Sequence, residues 1–490
     1  MSFVEEAHRF LVGRIAFPAT NYVLHRKDIL SRYRKLLLAE HYSKEALREL
    51  QFQKLSAVLH HAYARSPFYR QRFMEIGLIP QDIKTLEDMR QIPPLSRRDL
   101  IDRRHDLLDT RYRESALVAD RAAKGRRSSP IYIALTHRHG LIRRSSSGST
   151  GNPTVFYEDG STTALNWVHE LRLKHWFGLR PGVKEARMSA TPTEFAGTSK
   201  LPSLRELLWN QMILPGYFLS DREYELSVKK IRKFRPRVLW GPTPALTGLA
   251  RFVQRTNEDI SQCRPDLVIS RAAPLYAHEE DLLTAVFGCP VTNIYGTREL
   301  GHVAMNCPHG SAHINQSNYL VEIENVGIEE GSAGPGNILV TPLFETPMPF
   351  LRYRVGDMAE LGESDCPCGR PQMVIKRIMG RTVEVFKTQD GRLIEPSFWC
   401  IAFEGGRLSR DVERFQVIYR RRDCIRIRMV RRAGFSAETE ADLRHYLDEN
   451  FPSGIQFELE YVSEIKPQAS GKYPLIMNEI EQHEELPVGV

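Results

Sequence analysis

Between residues 155 and 300 short apolar runs alternate with helical stretches, and this alternation limits the fold more than any other feature of the chain. VLW (238–240), DLVIS (266–270) and VTNIY (291–295) are brief and rich in aliphatic and β-branched residues, as strands buried on both faces are. PALTGLARFVQRT, between the first two, has its apolar residues at helical spacing. Strands and helices in this order predict a layered α/β domain. A chain of 490 residues also exceeds what one core organises, so further domains are expected.

Residues 1–110 read as a mainly helical segment of the large domain. ELQFQKLSAVLHHAYAR (49–65) is helical by its spacing and ends at SPFYR, where Pro67 interrupts the pattern. The basic stretch 115–145, with KGRRSSP, reads as an irregular surface piece. Residues 111–378 form the α/β core, and HINQSNYLVEIENV and GNILVTPL within it read as antiparallel strands. A composition shift follows RIMGRTVEVF (377–386). Two adjacent strands (413–431), a helix (437–450) and a strand (455–463) then predict a small β-β-α-β domain over 379–490, with MGRTVE (379–384) as the hinge.

Composition narrows the function. No run of about 18 uncharged apolar residues is present, so no transmembrane segment is expected. MSFVEEAHRF lacks the basic-then-apolar pattern of a signal peptide, and a cytoplasmic location follows as an expectation. Seven cysteines, an odd number, argue against a disulfide framework. The net charge of +8 is mostly scattered, and YRRRDCIRIRMVRR (419–432) alternates as a half-exposed strand does. The charge is read as solubility and anionic small ligands, with nucleic acid not expected as a partner and a membrane surface a minor reading. A homodimer is compatible with the chain but not readable from it.

Five separated stretches carry chemistry. RRSSSGSTGNPT (143–154) is rich in hydroxyls and glycines, whose backbone amides can converge on an anion. It is not a Walker A loop, because Asn152 follows Gly151 where that motif has Lys. Its hydroxyls Ser147, Ser149 and Thr150 could still hold a triphosphate. NIYGTREL (293–300) sets Tyr295, Gly296, Thr297 and Glu299 just past a buried strand, where α/β proteins collect ligands. Glu299 there suits Mg²⁺, and the Tyr295 ring suits a base. FLRYRVGDMAEL (350–361) carries Asp357, able to accept both hydrogens of a ribose diol. MGRTVE carries Arg381, and ASGKYPL (469–475) sets Lys472 in an otherwise uncharged turn. Singly, each of these reads as an ordinary loop or surface residue.

Together and in this order, SSGSTGNPT, YGTRE, RYRVGD, GR and SGK resemble the adenylate-forming superfamily. LHHAYARSPFYRQRF, IPPLSRRDL, YGTRELGHVAMNC and CPCGR resemble more closely the phenylacetate–CoA ligase family, in its capsular-polysaccharide-biosynthesis branch. The resemblance runs from about residue 45 to 480. It implies a large N-terminal domain of the adenylate-forming type and a small mobile C-terminal lid. It also implies an ATP-dependent ligase that forms an acyl-adenylate from a small carboxylate and transfers the acyl group to coenzyme A. An amide- or ester-forming ligase acting on a glycan or natural product is the alternative. Ser147 to Thr154, with Gly151, would grip phosphates, and Glu299 would hold Mg²⁺. Ala273, Pro274, Tyr295, Gly296 and Thr297 would border the nucleotide, Asp357 and Arg381 would hold the ribose, and Lys472 would contact the α-phosphate.

Asn152, Arg298 and Val383 depart from the family pattern and support a rival reading, a nucleotide-binding scaffold without activity. The acyl pocket is not legible: Phe195, Trp209, Trp240 and Tyr276 are equally pocket or core.

The cysteines add a further set. CPHGSAH (307–313) and CPCGR (366–370) bring soft ligands on two short loops, a pattern suited to structural Zn²⁺. Cys307, His313, Cys366 and Cys368 are the expected ligands, with His309 left over. Cys263, Cys289, Cys400 and Cys424 read as isolated thiols.

Overall fold

A computed structural model describes residues 3–25, 28–124, 141–145, 154–190, 204–216, 219–325, 334–363, 366–388, 393–400, 403, 411–451, 454–466 and 475–480. They fall into two compact units. The first comprises Met1–Ile323, Leu339–Val355 and Leu361–Lys376; the second comprises Glu324–Ile338, Gly356–Glu360 and Arg377–Val490.

Helices open the first unit. Lys44–Arg65 starts at Ser43, whose hydroxyl accepts from the Ala46 amide at 3.1 Å. It ends before Pro67, which opens the next helix, Pro67–Glu75, where a missing amide hydrogen costs nothing. The basic stretch expected to be irregular is in part ordered, because Arg113–Lys124 is a helix whose Ala116 and Ala119 are buried. Its basic side chains report solvation and not lack of structure.

A hairpin follows, β1 (Ile142–Ser145) against β2 (Val155–Glu158), with Ser145 opposite Val155. Next come β3 (Glu185–Ala190), β4 (Gln211–Pro215), β5 (Val238–Pro242), β6 (Leu267–Arg271) and β7 (Val291–Thr297), lying parallel in the lateral order β4-β3-β5-β6-β7. The period of two along a strand splits their side chains between two cores. Leu239 and Val268 join one face, under the helices Asp221–Phe234, Thr243–Thr256 and Ala277–Phe287. Val238, Trp240, Leu267 and Ile269 join the other, with Leu173 and Trp176 of the helix Gly160–Trp176. Both faces being covered is why these strands read as unbroken apolar runs.

The sheet continues antiparallel through β8 (Gly301–Asn306) and β9 (Ala312–Ile314). With β10 (Tyr319–Asn325), β11 (Gly336–Pro342), β12 (Tyr353–Gly362) and β13 (Val374–Arg381), its eleven strands run β10-β11-β12-β13-β9-β8-β7-β6-β5-β3-β4.

In the second unit, β14 (Phe386–Lys387) pairs with β15 (Leu393–Ile394). Strands β16 (Val412–Arg421), β17 (Cys424–Arg431), β18 (Gln456–Tyr461) and β19 (Ile476–Asn478) form a sheet in the order β18-β17-β16-β19. The helix Ala437–Asn450 packs Leu443 and Leu447 against Val417, Tyr419, Ile425, Ile427 and Met429. The intervening Arg426 and Arg428 turn the other way and pair with Glu458 and Glu460 at 2.8 and 3.0 Å, so the basic run is a ladder neutralised by its neighbour strand. The protein is thus the mixed α/β chain that its periodicity predicts; the expected β-β-α-β order holds through β18, and β19 adds a further strand beside β16. No helix among the described residues is long and apolar enough to cross a membrane.

Candidate active site and metal centre

Strands β6 and β7 are parallel neighbours, so Ala273 and Pro274 after the first lie beside Tyr295, Gly296 and Thr297 at the end of the second. This is the carboxyl edge of a parallel sheet, where helices and loops leave room for a ligand. The turn carrying Glu299 is held from several sides. The Leu300 amide donates to Thr297 Oγ1 at 3.2 Å, Tyr319 donates its hydroxyl to the Leu300 carbonyl at 2.6 Å, and the His302 amide donates to Asn166 Oδ1 at 3.0 Å. Gly296 is obligatory here, because a Cβ would stand 2.0 Å from the Gly301 carbonyl oxygen. Glu299 itself is half-buried and has no hydrogen-bond or ion-pair partner among the described residues, leaving its carboxylate available to a cation.

Thr243 braces the neighbouring edge, its hydroxyl 2.6 Å from Ser270 Oγ and donating to the Ala273 carbonyl at 3.2 Å. Ala272 adopts φ +67°, a left-handed conformation disfavoured for any side chain. Such strain concentrates at functional edges. Ala272→Gly is expected to raise stability by about 0.5–1 kcal/mol, read as a higher denaturant midpoint at unchanged slope. An unchanged or lower midpoint would mean that the position is not strained.

Among the expected phosphate-loop residues, Ser147, Ser149, Thr150 and Gly151 lie outside the described residues, as do Asn152, Phe195 and Lys472. The loop's flanks are described. β1 and β2 pair up to Ser145 and Val155, and Thr154 is buried and accepts from Arg97 Nε at 2.9 Å. Arg97 belongs to IPPLSRRDL, a motif whose sequence alone does not name this role. In the second unit, Asp357 is buried on β12, with Arg381 Nε 3.1 Å from its Oδ1, so the two residues expected at the ribose are already an ion pair.

The soft-ligand set converges as the spacing predicts. The ligand atoms of Cys307, His313, Cys366 and Cys368 all lie within 4.8 Å of one another. Cys307 Sγ is 3.5 Å from Cys366 Sγ, and Cys368 Sγ is 3.2 Å from His313 Nε2. Two thiolates on one tetrahedral Zn²⁺ stand about 3.8 Å apart, so the cluster fits that ion nearly as it stands. CPHG and CPCG fold into like turns: Gly310 and Gly369 have φ +84° and +71°, and their amides donate to the Cys307 and Cys366 carbonyls at 2.9 and 3.0 Å. His313 comes in from β9, which pairs with β13 immediately after the second turn. His309 is exposed in the first turn and is not in the cluster.

The electrostatics suit a metal. Burial pushes His313 down to about 4, keeping its imidazole neutral, and its Nδ1 lies 3.3 Å from the Gln372 carbonyl, which leaves Nε2 for a cation. Burial pushes the Cys307 thiol up to about 11. Burial also raises Cys366, but hydrogen bonds from Ser311, Cys368 and Cys307 outweigh it and bring that thiol to about 7.

One constellation has no signature in the sequence. The helix Gly160–Trp176 is buried along most of its length yet carries Glu170 and Lys174. Arg187 of β3 lies 4.7 Å from the ring centres of both Trp167 and Trp240 and reaches Glu170 at 2.5 Å and Glu185 at 2.7 Å; Lys174 also pairs with Glu185. Burial opposes the charge on Glu170, but Arg187 and His302 outweigh it and hold that carboxyl well below its usual range. His302 Nε2 is 3.3 Å from Glu170, which ties this network to the turn bearing Glu299. Trp240 therefore packs on a buried cation. Trp209 belongs to a separate core with Phe17 and Trp167, and Tyr276 stacks on His278.

Known proteins share this organisation. Residues 386–479 match the CapK C-terminal domain family. Protein CapK of Staphylococcus aureus is 23% identical over 477 residues, covering 91% of this chain and 94% of its own length. A phenylacetate–coenzyme A ligase of Thermus thermophilus is 26% identical over 363 residues, covering 71% of this chain and 74% of its own. The fold matches that of 2-hydroxyisobutyryl-CoA ligase, crystallised in the postadenylation state with R3-HIB-AMP, at a TM-score of 0.65 and 17% identity over 89% of this chain and 90% of that one. The chain is a homologue of CapK and of the phenylacetate–CoA ligases, shares the fold of 2-hydroxyisobutyryl-CoA ligase, and matches the CapK C-terminal domain family over residues 386–479.

Proposed function

We propose that the chain is an ATP-dependent, AMP-forming acid–thiol ligase. A carboxylate attacks the α-phosphate of ATP to give an acyl-adenylate and pyrophosphate, and the acyl group then passes to the thiol of coenzyme A. The observation that carries this reading is the 26% identity with a phenylacetate–coenzyme A ligase over 71% of the chain. Attack of one anion on another needs charge neutralisation, which Mg²⁺ on the phosphates supplies when bound. Glu299, without a protein partner on a braced turn, is suited to hold that ion. Tyr295, Gly296 and Thr297 with Ala273 and Pro274 border the base, and Thr154 with Ser147, Ser149, Thr150 and Gly151 takes the phosphates. Lys472 neutralises the α-phosphate as it is attacked.

Asp357 accepts the ribose hydroxyls, and the ion pair with Arg381 keeps its carboxylate charged and oriented. Asp357→Asn is expected to raise KM for ATP about tenfold or more while kcat changes less, because the lost contact is made in ground and transition states alike. Equal use of 2′-deoxy-ATP and ATP by the unaltered protein would refute the ribose role.

Zn²⁺ on Cys307, His313, Cys366 and Cys368 is a structural ion in this reading. Four protein ligands leave no open position for chemistry. An acceptor amine or hydroxyl in place of coenzyme A is the second reading. Carboxylate-dependent ATP–pyrophosphate exchange across a panel of acids, followed by an acceptor screen with and without coenzyme A, tests both steps. Exchange with an acid but no thioester, and an amide or ester instead, would select the second reading. No exchange with any acid, by folded protein that binds ATP, would select an inactive scaffold.

A further inference from the structure

The first helical run is apolar on two faces. Phe3–Leu11, Val12–Ala16 and Phe17–His25 form one continuous helix, with a wider turn at its middle segment. One face carries Val12, Gly13, Phe17 and Asn21 and is buried in the unit's core. Gly13 lies so close to the chain at Pro181 that a Cβ would meet its carbonyl oxygen at 2.4 Å. That contact fixes which side of the helix faces out. The outward side bears Phe10, Leu11, Ile15 and Tyr22, exposed by 54, 53, 57 and 61%. A surface helix normally turns charged residues to water. Here the sole charge among the exposed residues from Phe10 to Tyr22 is Arg14.

The surroundings are net positive. From Phe3 to Glu40 the sequence holds seven Lys and Arg (Arg9, Arg14, Arg26, Lys27, Arg32, Arg34 and Lys35) against four acids (Glu5, Glu6, Asp28 and Glu40), a net +3, and of these Glu6 pairs with Arg9. Arg14, Arg34 and Lys35 are exposed and have no acidic partner among the described residues, and Leu38 beside them is 63% exposed. An apolar stripe set in unneutralised positive charge matches a surface that is both anionic and apolar beneath. Self-association through the stripe would instead bring two such cationic segments together, which their repulsion opposes.

We infer that this helix docks on an anionic phospholipid surface, with Phe10, Leu11, Ile15 and Tyr22 among the head groups and Arg14, Arg34 and Lys35 against the phosphates. Flotation of the full chain with vesicles tests this, using phosphatidylcholine alone or mixed equally with phosphatidylglycerol. Binding is expected only to the mixed vesicles, and it should weaken steeply as salt rises from about 0.1 to 1 M, where screening shortens from about 10 to 3 Å. Leu11→Glu with Ile15→Glu should lower vesicle binding about tenfold or more, and so should Arg34→Glu with Lys35→Glu. Neither exposed pair should move the melting temperature. Three outcomes would overturn the inference: no binding to mixed vesicles, equal binding to neutral ones, or binding untouched by both pairs. A concentration-dependent dimer that the first pair dissolves, in protein that ignores vesicles, would assign the stripe to a second copy of the chain and overturn it as well.

Discussion

Lys472→Ala is expected to lower carboxylate-dependent ATP–pyrophosphate exchange by about 10²–10³-fold while sparing acyl transfer from a preformed acyl-adenylate. The asymmetry follows from when the charge is needed. A lysine on the α-phosphate stabilises the pentacovalent arrangement in which carboxylate, phosphate and departing pyrophosphate are all anionic. Once the adenylate exists, transfer to a thiol expels AMP from a carbonyl carbon and makes no such demand at phosphorus. Lys472→Arg keeps the charge but spreads it over a broader fork, so exchange should recover only in part. Unchanged exchange in the alanine variant would remove Lys472 from the chemistry. An equal loss in both half-reactions would assign it to general nucleotide binding.

The second large effect is expected at the Cys/His cluster. Purified protein should carry about one Zn²⁺ per chain, and Cys366→Ser should lose the ion and several kcal/mol of stability together, since a metal that binds only the folded state adds its binding free energy to folding. A strong chelator should lower the melting temperature of the unaltered protein and leave that of Cys366→Ser where it is. Cys400→Ser should keep the full metal content.

Acid should act in two stages. Zn²⁺ must displace the proton from Cys307, whose thiol burial raises to about 11, so metal affinity falls as pH falls. In metal-free protein, His313 is held down to about 4 against an ordinary 6.5. The unfolded chain therefore takes up a proton that the folded chain refuses, and stability declines as pH drops from about 6.5 to about 4. Metal-free protein that melts at the same temperature as the isolated holoprotein would return these residues to ordinary loop thiols.

Local rules reach far into this protein. A strand buried on both faces must be apolar throughout, which is why VLW, DLVIS and VTNIY announced β5, β6 and β7. Local pattern likewise announced β16, β17, the helix Ala437–Asn450 and β18. The Cys/His cluster was legible because cysteines two residues apart in a turn share one neighbourhood whatever the rest of the chain does.

What local pattern cannot supply is the identity of distant partners. Arg113–Lys124 is helical although its basic composition suggested irregular chain, because Ala116 and Ala119 are buried. His313, the expected ligand, is held in the cluster by the pairing of β9 with β13. Arg97 on Thr154, Arg381 on Asp357 and Arg187 between two tryptophans are meetings of residues 57, 24 and up to 53 positions apart. Each side chain alone is an ordinary surface arginine. Which side of the first helix turns inward is likewise set at a distance, by Gly13 pressed on Pro181. Sequence determined the elements, because periodicity and turn chemistry act within a few residues. Tertiary structure decided the pairings and the exposed face, because these depend on which distant surfaces exclude water from one another.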